Sequence, residues 1–174
     1  MKKIVALVLA IMMIGMTACA FAATGCGAVT TVSCTNADGE TAGKVSITTT
    51  MCAVTLDENG VITGIQFNAV QPAATYDANG VAGNYNAAPI TKVEKGDAYG
   101  MRSASSIGAE WYEQAAAFEA WCVGKTVDEV LGMKTYAKNE EHNCVPEEPD
   151  LVSSCTIDVG AFQQALKLAA ASAK

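Results

Sequence analysis

A hairpin signal in the first half of the chain limits the possible folds more than any other feature. Residues 44–56 are rich in threonine and β-branched side chains, a composition that favours an extended strand. Residues 57–60 read Asp-Glu-Asn-Gly, and both Asn59 and Gly60 can take the positive φ angles of a tight turn. Residues 61–70 return as a second strand. Alternation along it predicts a core-facing set made of Val61, Ile65, Phe67 and Ala69.

The second half of the chain has helical periodicity. Residues 109–122 place apolar side chains on one helix face at Trp111, Ala115, Phe118 and Cys122. Thr126 and Glu129 have the spacing of a capping box, which predicts a short helix as far as Leu131. A last helix over 159–173 should bury Phe162, Ala165, Leu166 and Ala169. With a further strand expected over 28–35 and a long irregular stretch over 71–108, the pattern predicts an α+β fold. It is a small antiparallel β-meander packed against two or three helices, in a single domain.

The first residues have the order of an export signal. Two lysines precede an apolar run of about a dozen residues, and small residues follow. We expect a signal peptide over residues 1–22, which leaves residues 23–174 as the domain. A second possibility is a lipoprotein signal that ends at residue 18, so that Cys19 carries a lipid. Both predict an extracytoplasmic protein, secreted or on the cell surface, whose membrane contact is limited to that anchor.

Charge and cysteine content narrow the possible partners. The formal net charge is −7, and loss of the leader removes two more lysines, so the surface should repel nucleic acid. An even number of cysteines in an exported chain permits disulfides but leaves the pairing open. These cysteines are Cys26, Cys34, Cys52, Cys122, Cys144 and Cys155. The single histidine, His142, has only Cys144 nearby in sequence, so neither a metal site nor a catalytic residue is predicted.

The segment before the last helix is dense in hydroxyl groups. Residues 150–158 read Asp-Leu-Val-Ser-Ser-Cys-Thr-Ile-Asp. Unpaired backbone N–H groups and the dipole at a helix start favour an anion, so this segment could bind a phosphate. Ser, Thr and Asp are also common helix N-caps, and spacing alone favours that simpler interpretation. A thiol at a helix start has a lowered pKa, so a redox role for Cys155 is a third possibility. A disulfide or a structural cysteine is the favoured interpretation of this residue.

The hairpin over 53–65, followed far downstream by Asp150-x-x-Ser153-x-x-Thr156 and a helix, resembles the FMN-binding domain family. This domain occurs in the C subunit of sodium-pumping NADH:quinone reductase and in small exported flavoproteins. The family loop reads Asp-x-x-Ser-Gly-Ala-Thr, and its Thr carries FMN through a phosphoester bond. The resemblance therefore implies Thr156 as the flavin-bearing residue. Ser154 and Cys155 stand where the family has Gly and Ala, and a Cβ at the Gly position would crowd the phosphate.

The resemblance implies an exported FMN-binding module that exchanges electrons with a redox partner. Its cofactor site would comprise Asp150, Ser153, Ser154, Cys155 and Thr156. The flavin ring is expected under the loop around residues 99–106, against Trp111 or Tyr112. The alternative is a binding or structural module that keeps the fold without flavin, which the two substituted positions favour.

Overall fold

The computed structural model describes residues 22–174, so the predicted signal peptide up to residue 21, with Cys19, lies outside the described residues. One sheet contains β1 (Ala23–Thr35), β2 (Gly43–Leu56), β3 (Ile62–Val70), β4 (Ala73–Tyr76) and β5 (Ala82–Tyr85). The helices are α1 (Lys92–Lys95), α2 (Trp111–Cys122), α3 (Val127–Leu131) and α4 (Gly160–Ser172). A 3-10 turn spans Gly96–Tyr99, and β6 (Thr135–Tyr136) pairs with β7 (Val145–Pro146) in a small ribbon. The predicted α+β class is confirmed.

Strand β2 is the centre of the sheet. It pairs along its whole length with β1 on one side, in antiparallel register from Ala23 opposite Leu56 to Thr35 opposite Lys44. On its other side β3 occupies one half and β4 the other, and both run antiparallel to it. The chain passes from β3 to β4 at Pro72, whose carbonyl accepts a hydrogen bond from the N–H of Ile47 at 3.0 Å.

The predicted β2–β3 hairpin is confirmed, with two local differences. At the turn, Gly60 has a φ of 77° while Asn59 keeps a negative φ. Asp57 accepts hydrogen bonds from the N–H groups of Asn59 and Val61, both at 2.8 Å. A bulge near Leu56 then shifts the register, which moves side chains across the strand to the other face. For this reason Ile62 is fully buried, whereas the prediction had placed Val61 in the core.

The helices cover one face of the sheet. Helix α4 lies so close to β1 that a Cβ added at Gly25 or Gly27 would overlap the backbone of Ala165 or Ala169. The predicted core faces of α2 and α4 are confirmed, because every residue assigned to them is buried. Between them and the sheet, the rings of Phe67 and Phe162 stack with centroids 4.5 Å apart, and the ring of Phe118 packs against both.

The stretch over 71–108, expected to be irregular, contains β4, β5 and α1. Strands this short carry too few residues for alternation to be recognised. Its remaining part, residues 100–109, is a loop that leads into α2. Within residues 22–174, no helix has the length and apolar character needed to span a membrane.

Candidate functional site

A cavity of about 410 Å³ lies between the helix-covered face of the sheet and the loop over residues 100–109. Its volume falls within the range of small-molecule and cofactor sites. Strands β1 and β2 contribute a row of hydroxyls from Thr31, Thr48 and Thr50. The other walls come from α1, the 100–109 loop, the start of α2, the 138–142 loop and the segment before α4. The cavity therefore collects residues from most of the chain.

Thr156 is the predicted site residue that lines this cavity. Its backbone N–H donates to the Oε1 atom of Gln114 at 2.9 Å, and its hydroxyl is 3.2 Å from the same atom. The side chain of Thr156 is partly buried, so its hydroxyl is held in one place while remaining accessible from the cavity. A fixed and accessible hydroxyl is suited to bind, or to be esterified by, a phosphate.

Gln114 connects this segment to the loop on the opposite wall. It is fully buried on α2, and its Nε2 donates to the hydroxyl of Ser105 at 3.1 Å and to the carbonyl of Ala109 at 3.0 Å. The sequence interpretation missed this residue. Gln114 lies three positions after Trp111, on the apolar face of α2, and a glutamine at such a position needs internal partners because burying an amide without them is costly.

A second buried polar residue holds the same loop. Glu110 is 2% exposed, and its carboxylate accepts hydrogen bonds from the backbone N–H groups of Met101 at 2.9 Å and Arg102 at 2.8 Å. The guanidinium of Arg102 pairs with Asp97 at 3.1 Å and with Glu113 at 3.0 Å. A hydrogen bond from the Glu110 N–H, then the Arg102 pair, hold the pKa of Glu113 below its ordinary value. These contacts fix the loop over the cavity.

Aromatic and cationic side chains lie together in the cavity wall. The Nζ of Lys92 is 4.9 Å from the ring centroid of Tyr99 and 5.2 Å from that of Trp111. Trp111 in turn meets the ring of Phe162 edge-on, with centroids 5.6 Å apart. Lys138 and His142 add further basic groups to the lining. This part of the wall thus combines ring surfaces with two lysines.

Two acidic residues also line the cavity, Glu141 and Asp158. Asp158 is committed to the backbone. One of its oxygens accepts from the N–H of Cys144 at 2.8 Å, and the other from the N–H of Gly160 at 2.8 Å. Gly160 is the first residue of α4, and its N-cap residue is Val159, which makes no side-chain cap. Asp158 accepts the Gly160 N–H from one residue before that position.

The remaining predicted site residues lie outside the cavity lining. Asp150 and Ser153 are exposed on a turn, and the hydroxyl of Ser154 donates to the carbonyl of Leu151 at 3.2 Å. Cys155 is fully buried in the core. The structure therefore brings Thr156 to the cavity with Tyr99 and Trp111. The other four predicted site residues are not part of the lining. Tyr112 is not part of the lining.

The structure contradicts a reactive thiolate at Cys155 and agrees with the favoured interpretation, a structural cysteine. Its side chain is 0% exposed, and burial raises the pKa of its thiol to about 12. Loss of solvation disfavours the thiolate more than a backbone hydrogen bond at Ile157 favours it. Burial likewise raises the thiol pKa of two other core cysteines. The buried thiols are therefore Cys52, Cys122 and Cys155.

The six cysteines after the predicted leader are all free thiols in the structure. Cys26 and Cys34 are exposed on β1, and Cys144 is half-buried with its Sγ 3.3 Å from the Oε1 atom of Gln163. Within residues 22–174, no group of three or more His, Cys, Asp or Glu side chains is arranged to hold a metal ion.

Comparison with known proteins gives one short match. Over 40 residues, the chain is 52% identical to a chlorophenol reductase from Desulfitobacterium hafniense. The match covers 23% of this chain and 12% of the reductase, far below two thirds of either protein. No family model matches the chain, and no solved structure matches it. These comparisons assign no family.

Proposed function

We propose that this protein is an extracytoplasmic flavoprotein that holds FMN in the cavity beside Thr156 and passes electrons to a redox partner. The observation that carries this proposal is the position of Thr156. Thr156 lines a cavity of about 410 Å³ whose walls also contain Tyr99, Trp111 and Lys92. The phosphate of FMN needs a hydroxyl or cationic partner, and its ring system needs flat apolar surfaces.

The residues present fit this group. Thr156 would carry or bind the phosphate, and Lys92 and Lys138 would balance its charge. The rings of Tyr99 and Trp111 would contact the isoalloxazine. The N–H of Thr156 keeps Gln114 as its partner whether or not the hydroxyl is esterified, so the segment stays in place. Ser154 and Cys155 point away from the cavity lining, which reduces the crowding expected from their side chains. FMN supplies the electron-transfer chemistry, and the chain binds and orients it.

The location is part of the proposal. The leader over residues 1–22 directs the domain out of the cytoplasm, where it is either released or retained by lipid on Cys19. An acidic surface suits a domain that approaches its redox partner in solution and does not bind nucleic acid.

The decisive experiment is the intact mass and the visible spectrum of the protein purified from its own cell. We expect flavin absorbance and a mass increase equal to FMN minus water. Thr156→Ala should remove the mass increase, and Thr156→Ser should retain it. Ser153→Ala is the matched control, because Ser153 is exposed outside the cavity and should leave the flavin unchanged. A colourless protein with the mass of the bare chain, which also fails to bind added FMN, would refute the proposal.

The alternative function is a binding or structural module without flavin. The observation in its favour is the Ser154-Cys155 pair, which stands where the resembled family has Gly-Ala. For this alternative, Thr156→Ala would change neither the mass nor any binding of flavin. Its effect would then be limited to the loss of one hydroxyl contact with Gln114.

A further inference from the structure

Strand β1 has one free edge. It pairs with β2 along all its residues, so the N–H and C=O groups of every second residue point outward, away from β2. At the start of β1, these outward groups have partners from the end of the chain. The N–H of Thr24 donates to the carbonyl of Lys174 at 3.2 Å, and that of Cys26 donates to the hydroxyl of Ser172 at 3.0 Å. The same parity continues through Ala28, Thr30, Val32 and Cys34, whose outward backbone groups have no hydrogen-bond partner among residues 22–174.

The outer edge of β3 is protected. Along β3, the outward N–H of Phe67 donates to the carboxylate of Glu119 at 2.6 Å, and that of Ala69 donates to the side chain of Asn68 at 2.8 Å. Near the start of β3, Ile62 exchanges backbone hydrogen bonds with Lys125 and Gly124. These contacts leave little of the β3 edge open to another strand.

The free edge of β1 has none of the usual protections. Edge strands avoid unwanted pairing through charged residues, proline, bulges or short length. Strand β1 reads ATGCGAVTTVSCT over thirteen residues, with no charged residue and no proline. Its register against β2 is unbroken, so no bulge twists the edge away. An edge of this kind is suited to accept another strand.

We propose that two copies of this chain pair through the β1 edge, antiparallel, in a register that places Thr31 opposite itself. Ala28 then lies opposite Cys34 of the second copy, and Thr30 opposite Val32. This register uses the free outward groups from Ala28 to Cys34. It stops where Ser172 and Lys174 already occupy the edge, so these two residues set the limit of the pairing.

A second copy is the occupant that the strand itself favours, because the uncharged run over residues 28–34 can pair with the same run of another copy in one antiparallel register. Each chain is acidic, with a formal net charge of −7, so most pairs of surfaces on two copies repel each other. The β1 edge carries no charge and permits close approach. Pairing there joins two sheets into one and satisfies backbone groups on both copies. Because Thr31 lines the cavity, the two cavities would then adjoin the seam between the copies.

The first test measures the molecular mass of the protein in solution by sedimentation under reducing conditions. The whole chain is used, purified as the expressing cell makes it. We expect twice the mass of one chain. Val32→Pro removes an outward N–H without removing a bond to β2, so the fold should persist while the protein becomes monomeric. Ile47→Lys is the matched control, because Ile47 lies opposite Val32 on β2, away from the edge, and is 40% exposed. It should leave the dimer intact.

The second test measures the register. Cys26 and Cys34 are first replaced by serine, and Thr31→Cys is then introduced. This variant should form a disulfide between copies on mild oxidation, because a directly opposed, non-hydrogen-bonded pair has its Cα atoms about 4.5 Å apart. Ser33→Cys in the same background should not, because Ser33 would oppose residue 29. A monomer at all concentrations overturns the proposal. So does a dimer lost with Ile47→Lys but kept with Val32→Pro, since that result indicates stacking of sheet faces. Equal crosslinking of both cysteine variants overturns the register.

Discussion

Gln114→Leu tests whether the buried amide holds the two sides of the cavity together. Gln114 is 0% exposed and takes part in four close hydrogen bonds with neutral groups. At about 1 kcal/mol net for each bond, their loss destabilises the fold by about 4 kcal/mol. The added apolar burial of leucine returns about 1–2 kcal/mol. We expect the free energy of unfolding to fall by about 2–3 kcal/mol.

The assay is urea unfolding followed by circular dichroism, with hydrogen exchange across residues 100–109 as a second measurement. Exchange in that loop should accelerate, because Ser105 and Ala109 lose their contact with α2. Gln164→Leu is the matched control. Gln164 is exposed on α4, so the same change should alter stability by no more than about 0.5 kcal/mol. If Gln114→Leu costs no more than the control, or leaves loop exchange unchanged, the proposed connection through Gln114 is wrong.

Three further predictions concern packing and titration. Gly27→Ala should destabilise the protein by about 3 kcal/mol or more in thermal or urea unfolding, because the added Cβ overlaps the α4 backbone. Gly64→Ala is the control and should be tolerated, since a Cβ there meets no atom nearer than 3.8 Å. In the native state the buried thiols should resist a thiol reagent while Cys34 reacts at once. Rapid labelling of a buried thiol would contradict this expectation. Burial also raises the pKa of these thiols from 9.0 to about 12, so their contribution to stability should decline only above pH 9, where the thiols of the unfolded chain ionise first. Burial raises the pKa of Glu119 despite the hydrogen bond from Phe67, so the carboxyl favours folding below its ordinary value of 4.5 and loses that effect as pH rises through its folded pKa. The stability of the wild type relative to Glu119→Gln should therefore fall between acid and neutral pH, and a constant difference would refute the assignment.

Local sequence was enough to predict the hairpin and the helix faces. The turn at Asp57 depends on residues within four positions of one another, and both helix stripes follow from a period that neighbouring residues reveal. The same reasoning failed at Val61, where a bulge reverses the alternation. It also failed for β4 and β5, which are too short to show a period. Local patterns thus predict an element well when it is long and regular.

The sequence also singled out Thr156, through a motif, but could not show what surrounds it. Gln114 is 42 positions away, and Thr31 reaches the same cavity from the other end of the chain. Such proximity depends on how β1, α2 and the segment before α4 pack together.

Sequence patterns alone predict the α+β class, the β2–β3 hairpin and the buried stripes of α2 and α4. Periodicity and turn chemistry act over a few residues, so they can be read without a fold. Three further properties appear only once the chain is packed: Cys155 is an inert core thiol, Gln114 and Glu110 hold the cavity loop, and β1 keeps a free edge beyond Cys26. Burial, long-range hydrogen bonds and unpaired strand edges depend on which distant segments meet, and that is settled only when the chain packs.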